Sequence, residues 1–323
     1  MIPSPESTYC SPEANSAPRD QSQRTHDHQC REPDKLLMIP GFSAGGLGIK
    51  LPEPDFGLPA IAAAGFRAID LRIRDLFESR TPARELRRRL DDVGLVPGTC
   101  QFPLDWRHET ANEAELIRAL PPYLEFAAEI GVVNFYTRVS ESVPEGASAD
   151  AIVRDHRRKI TAIANALEEY GIGLALETVG VESFRNGQPA LMASLAQVRD
   201  RLAVCFEDCP QLGLLVDAFH LHAAGESVEE ALGPFASRVL GVHVADLPGP
   251  VRNLSEIIDH DRALPGFTGQ VPVNRILAAL RNAGCPERTP VIVETIRCPD
   301  PFTGASFETI VRNVFATLAD AIG

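Results

Sequence analysis

Eight short apolar runs punctuate this chain, each separated from the next by a polar or amphipathic stretch, several with helical spacing. They are LLMIPGF (36–42), FRAIDL (66–71), LVPGTCQF (95–102), VVNFY (132–136), IGLALE (172–177), LGLLVD (212–217), VLGVHV (239–244) and PVIVE (290–294). Between them lie helical patterns such as PARELRRRLDDVG (82–94), EAELIRALPPYLEFAAEIG (113–131), DAIVRDHRRKITAIANALEEYG (150–171) and VNRILAALRNAG (273–284). Gly94, Gly131, Gly171 and Gly284 close these stretches as left-handed stops. Strands that are apolar on both faces, with a helix after each, belong in a parallel sheet buried beneath helices. Eight such units over about 290 residues predict a single α/β domain, a (β/α)₈ TIM barrel over 35–323. A doubly wound sheet is disfavoured because no Gly-rich dinucleotide turn follows the first run. GFSAGGLG (41–48) lacks the phosphate-loop form and reads as a barrel-rim loop.

Residues 1–34 are rich in Ser, Pro, Gln, Asp and Glu with few aliphatics, so they read as a flexible extension that cannot bury enough surface to offset its ordering entropy. His26, His28 and Cys30 fall there, with no second ligand cluster beside them to close a tetrahedral metal site. No secretory pattern opens the chain and no run is long enough to span a bilayer, so a cytoplasmic protein with no membrane contact is expected. Seven cysteines on a chain of this length argue against a disulfide framework, and Cys205 and Cys209 read as packing residues before the sixth strand. A net charge of −13 disfavours nucleic acid as a partner.

In a barrel of this kind, chemistry sits at the C-terminal ends of the strands. The fifth strand ends in Glu177, the sixth in Asp217, the seventh in His243 and the eighth in Glu294. Any one carboxylate could cap the following helix or meet an arginine. Four ionisable groups around one mouth would repel and lose hydration unless a cation or strong donors sat among them. Three carboxylates and an imidazole suit one divalent metal ion, Mn²⁺, Mg²⁺ or Co²⁺, and also Zn²⁺. At the same rim, His220 or His222 is expected to touch substrate from the loop after strand six. Asp246 is expected to orient His243 or to bind substrate. Arg252, Arg262 and Arg297 are candidate donors to substrate oxygens, and Trp106 a candidate apolar wall.

These segments resemble the xylose isomerase-like superfamily of sugar isomerases and epimerases over residues 36–320. The likeness is most specific in LALETVG (174–180), LLVDAFHLHAAG (214–225), GVHVADLPG (241–249), DRALPGFTGQVPV (261–273) and VIVETIRCPDPF (291–302). Within it the chain looks most like the isomerases of inositol catabolism that act on 2-keto-myo-inositol. PGFTG stands where those enzymes have PGxG, and one residue is inserted before Pro299. The resemblance implies that Glu177, Asp217, His243 and Glu294 are the metal ligands, that Glu177 and Glu294 form the acid/base pair, and that His220 contacts substrate. The implied reaction interconverts a keto-cyclitol or ketose through a cis-enediolate. Loss of a β-hydroxyl from that enediolate would make the same site a dehydratase or lyase on a keto-inositol, a dehydroshikimate or a keto-sugar. The expected partner is a small polyhydroxy ketone, with a homo-oligomer left open.

Two other chemistries fit poorly. The related endonuclease IV-like barrels need further histidines from strands two and three, whereas these runs end near Asp70, Leu71, Gln101 and Phe102. A Schiff-base aldolase needs a lysine at a strand end, and only Lys35, Lys50 and Lys159 exist, none of them so placed.

Overall fold

The computed structural model describes residues 38–107, 112–299 and 302–323. The extension at 1–34, with His26, His28 and Cys30, lies outside the described residues. Nine parallel strands form one sheet: β1 (Met38–Phe42), β2 (Ala68–Ile69), β3 (Val96–Pro97), β4 (Thr99–Gln101), β5 (Asn134–Arg138), β6 (Gly173–Glu177), β7 (Leu212–Asp217), β8 (Val239–Val244) and β9 (Thr289–Val293). Their order is β3-β2-β1-β9-β8-β7-β6-β5-β4. Since β3 and β4 are two halves of one chain segment, the sheet curls into a nearly closed barrel, as the alternation predicts. β7 and β8 match their apolar runs residue for residue.

The difference from eight continuous strands lies at Gly98. β3 pairs only with β2, and β4 only with β5. A side chain at Gly98 would place its Cβ 2.4 Å from the Asp70 carboxylate, so the chain passes there as glycine and the ladder changes partner. A second difference is the stretch at 113–131, which forms two helices, Glu113–Ala119 and Pro121–Ile130, because Pro121 and Pro122 open a new first turn. The other three patterned helices run over Ala83–Val93, Ala149–Glu168 and Val273–Asn282. Gly94 and Gly131 stop their helices at φ of 72° and 94°, in the left-handed region where glycine has no steric penalty.

Strands β6 and β7 are buried at every position, which explains their unbroken apolar character. Each fully buried Leu or Val there contributes about 1.5–3 kcal/mol. Cys205 and Cys209 are buried free thiols packed ahead of β7, in the packing role their spacing suggested. No helix among the described residues is long and apolar enough to cross a membrane.

Candidate metal centre

The C-terminal ends of β6 to β9 bring Glu177, Asp217, His243 and Glu294 together, with one ligand atom from each lying within 4.8 Å of all the others. Asp217 and His243 face each other on one rung of the β7–β8 ladder. Glu294 lies one residue beyond β9 and extends the ladder through its backbone N–H to Val244 O at 3.0 Å. His243 Nδ1 stands 3.5 Å from Glu177 Oε1 and 3.6 Å from Glu294 Oε2. These are charge contacts rather than good hydrogen bonds, and neither ring nitrogen of this buried imidazole has a hydrogen-bond partner among the described residues. A buried imidazole with both nitrogens unsatisfied, facing carboxylates, fits a divalent cation with mixed oxygen and nitrogen ligands.

Both alternatives weighed for a lone strand-ending carboxylate are realised at Asp217. Its Oδ1 caps the helix Ala218–Ala223, accepting from Phe219 N at 2.8 Å. Its Oδ2 accepts from Arg262 Nη1 at 2.8 Å. The buried Arg262 also donates to Glu294 Oε2 at 3.1 Å and to Asp259 Oδ1 at 2.7 Å, while Nη2 lies 2.9 Å from His220 Nε2. As the guanidinium has only donors, His220 must accept there and carry any proton on Nδ1. Arg262 is thus first a bridge among carboxylates, and its fork spans the site that substrate would approach.

Electrostatics follow from this crowding. Burial disfavours a charged His243, yet the Glu294 and Glu177 carboxylates outweigh it and raise its pKa well above the ordinary value. Burial likewise opposes ionisation of Asp217 and Glu294. Arg262 dominates for the first and His243 for the second, so both are held below the usual carboxylate range. A divalent ion would take over the role that the imidazolium proton plays among these carboxylates.

Above the cluster opens a cavity of about 450 Å³ lined by residues including Glu177, His220, Arg262 and Glu294. Ser43, Gly45 and Gly46 line it too, as a rim loop should. Four expected contacts lie elsewhere. Trp106 is fully buried away from the cavity, donating to Thr137 Oγ1 at 2.8 Å and meeting the His156 ring edge-on, so Phe102, Pro103 and Leu104 form that wall instead. Asp246 neither orients His243 nor lines the cavity. Its carboxylate accepts from the backbone N–H groups of Leu247, Thr268, Gly269 and Val271 at 2.6–3.0 Å, which fastens the loop after β8. Arg252 is exposed on that loop, and Arg297 pairs outside the cavity with Asp261 at 2.7 Å.

Asp70, Tyr136 and Arg138 are among the lining residues that the sequence did not single out. Asp70 follows β2 with Oδ1 buried and unpartnered, and burial pushes its pKa up to about 8. Tyr136 sets its ring against His243, centroids 5.0 Å apart. Arg138 ends β5. Asp70 meets the same criterion that picked out Glu177, Asp217 and Glu294, a carboxylate at the end of an apolar run.

A family model described as xylose isomerase-like TIM barrel matches residues 58–310. The chain belongs to that family. Among relatives, an inosose isomerase of Bacillus velezensis is 25% identical over 171 residues, covering 53% of this chain and 56% of that enzyme. The chain therefore spans little more than half the length of the relative it matches. A xylose isomerase domain protein from Alicyclobacillus acidocaldarius superposes with a TM-score of 0.73 at 22% identity, covering 88% of this chain and 98% of the other. The IolI protein, solved with a binding zinc atom, superposes with a TM-score of 0.72 at 18% identity, again covering 88% and 98%. At such identities the two structures share the barrel with this chain.

Proposed function

We propose that this family member is a divalent-metal-dependent isomerase or epimerase of a ketose or keto-cyclitol, working through a cis-enediolate. The observation that carries the reading is the convergence of Glu177, Asp217, His243 and Glu294 beneath a polar cavity large enough for a six-carbon polyhydroxy ketone. The inosose isomerase relative supports a keto-cyclitol, and the zinc held by IolI supports a divalent ion. Bound by these four side chains, such an ion supplies Lewis acidity, stabilising the negative charge that develops on the substrate carbonyl oxygen.

The chain's own residues handle the proton. Glu177 and Glu294 stand at the two ends of the β6–β9 arc, so the two carboxylates approach a bound substrate from different sides. Among the described residues the Glu177 carboxylate has only the 3.5 Å charge contact with His243, which leaves it able to take the proton next to the carbonyl. Glu294 is fixed through Oε2 by Arg262, which leaves Oε1 to return the proton. Return to the neighbouring carbon isomerises the substrate, and return to the opposite face of the same carbon epimerises it. His220 lines the cavity with Nε2 against Arg262 Nη2, and so holds the guanidinium fork in place at the substrate side of the cluster.

The test is proton exchange in D₂O followed by NMR, with a panel of keto-inositols and ketohexoses and with Mn²⁺, Mg²⁺, Co²⁺ or Zn²⁺ restored after chelation. The α-proton should exchange only in metal-loaded protein, and Glu177→Gln and Glu294→Gln should each abolish turnover while preserving the fold. Full turnover after exhaustive chelation, or turnover without α-exchange, overturns the proposal. Net loss of water would assign the dehydratase instead.

A further inference from the structure

In a chain of net charge −13, five arginines line the cavity: Arg72, Arg74, Arg107, Arg138 and Arg262. Three have their charge met. Arg72 pairs with Asp75 at 2.7 Å, Arg74 with Glu78 at 2.8 Å, and Arg262 with the carboxylates described above. Arg107 reaches Asp105 only at 3.8 Å. Arg138 has no carboxylate partner among the described residues and lies against the Phe184 ring, with Cζ 5.6 Å from the centroid.

The position of Arg138 is set by the strand. It is the register partner of Glu177 across β5–β6, and it follows by two residues Tyr136, whose ring touches His243. Residues two apart on a strand share a face and register partners stand side by side, so Arg138 lies level with Glu177 at the β5 side of the four-residue cluster. Arg107 is brought to the same wall because the Trp106–Thr137 hydrogen bond joins the residues immediately before each arginine. A half-buried guanidinium has lost hydration, and its planar fork matches carboxylate and phosphate oxygens in pairs. No carboxylate of the cluster forms an ion pair with Arg138 among the described residues, and Asp217 and Glu294 are instead held by Arg262.

We propose that the substrate carries an anionic group, a carboxylate or a phosphate ester, seated against Arg138 and Arg107 on the β5 side of the Glu177–Asp217–His243–Glu294 cluster. This rests on the isomerase or epimerase reading for the rest of the substrate.

The test is calorimetric binding to metal-loaded protein of D-fructose, of its phosphate ester at the terminal hydroxyl, and of the keto acid in which that terminal carbon is a carboxylate. Wild type should bind one of the two anions at least about tenfold more tightly than fructose, and which one gains identifies the group. Arg138→Gln should cut that preference to about threefold or less with fructose affinity nearly unchanged, and Arg138→Lys should restore part of it. Equal binding of neutral and anionic ligands by wild type, or equal weakening of all three in Arg138→Gln, overturns the proposal. Failure of the isomerase reading shows separately, as absent α-proton exchange with the anionic preference intact.

Discussion

Truncating Arg262 to alanine should cost about 3–5 kcal/mol of stability, the penalty of removing one member of a buried ionic network. The size follows from what the side chain holds. Its guanidinium is 1% exposed and bridges Asp217, Glu294 and Asp259 at 2.7–3.1 Å. Without it, Asp217 and Glu294 remain buried beside Glu177 with only imidazoles to offset them. For a domain of this size that loss lowers Tm by on the order of 10 °C. The assay is urea unfolding of chelated protein, wild type against Arg262→Ala, repeated with saturating Mn²⁺. A cation held by the same carboxylates should return part of the lost stability. The pH dependence has a defined sign. Asp217 and Glu294 have folded pKa values depressed below their ordinary 3.8 and 4.5. Their contribution is therefore present at neutral pH and is lost as pH falls through and below that range. The gap between the two proteins should narrow in acid. A loss under about 1 kcal/mol at pH 7, or a gap that widens on acidification, would refute the account of Arg262 as the bridge among these carboxylates.

Asp246→Asn should destabilise by about 2–4 kcal/mol, because an amide NH₂ would face backbone donors, and hydrogen exchange at Thr268, Gly269 and Val271 should quicken. Unchanged exchange at those amides would contradict its role in fastening the loop. Asp70 has a folded pKa raised from 3.8 to about 8, so in chelated protein its contribution is full below about pH 4 and is lost as pH rises towards 8. Asp70→Asn should remove that decline in a denaturation series, and an identical pH slope in both proteins would count against it. Gly98→Ala should destabilise by about 1–3 kcal/mol through the 2.4 Å approach to Asp70, and by less in an Asp70→Ala background.

The barrel and the four clustered side chains were legible because both depend on local order. An apolar run that ends in an ionisable residue states strand, terminus and chemistry together, and runs such as LGLLVD and PVIVE carry all three. The same rule reaches Asp70. Tyr136 and Arg138 were readable in principle, since alternate residues at a strand end share a face, but that face is named only once the neighbours of β5 are known. Arg262 sits 45 residues from Asp217 and 32 from Glu294, and no spacing rule links them. Trp106 and Asp246 were placed near the site by proximity in sequence. Trp106 satisfies its indole N–H on Thr137, and Asp246 is drawn to a cluster of backbone amides, so each settles where its polar atoms are best met.

The divided third strand makes the barrel a split ring. At no height does the hydrogen-bonded circuit run unbroken, since β3 hangs from β2 and β4 from β5. The wall at Gln101 to Arg107 is therefore hinged to the β5 side alone, and it can give by small amounts without stretching any ladder between β1 and β9. Glu177, Asp217, His243 and Glu294 stand instead on or just beyond strands that are paired along both edges, β6 to β9, which hold the reacting groups in register.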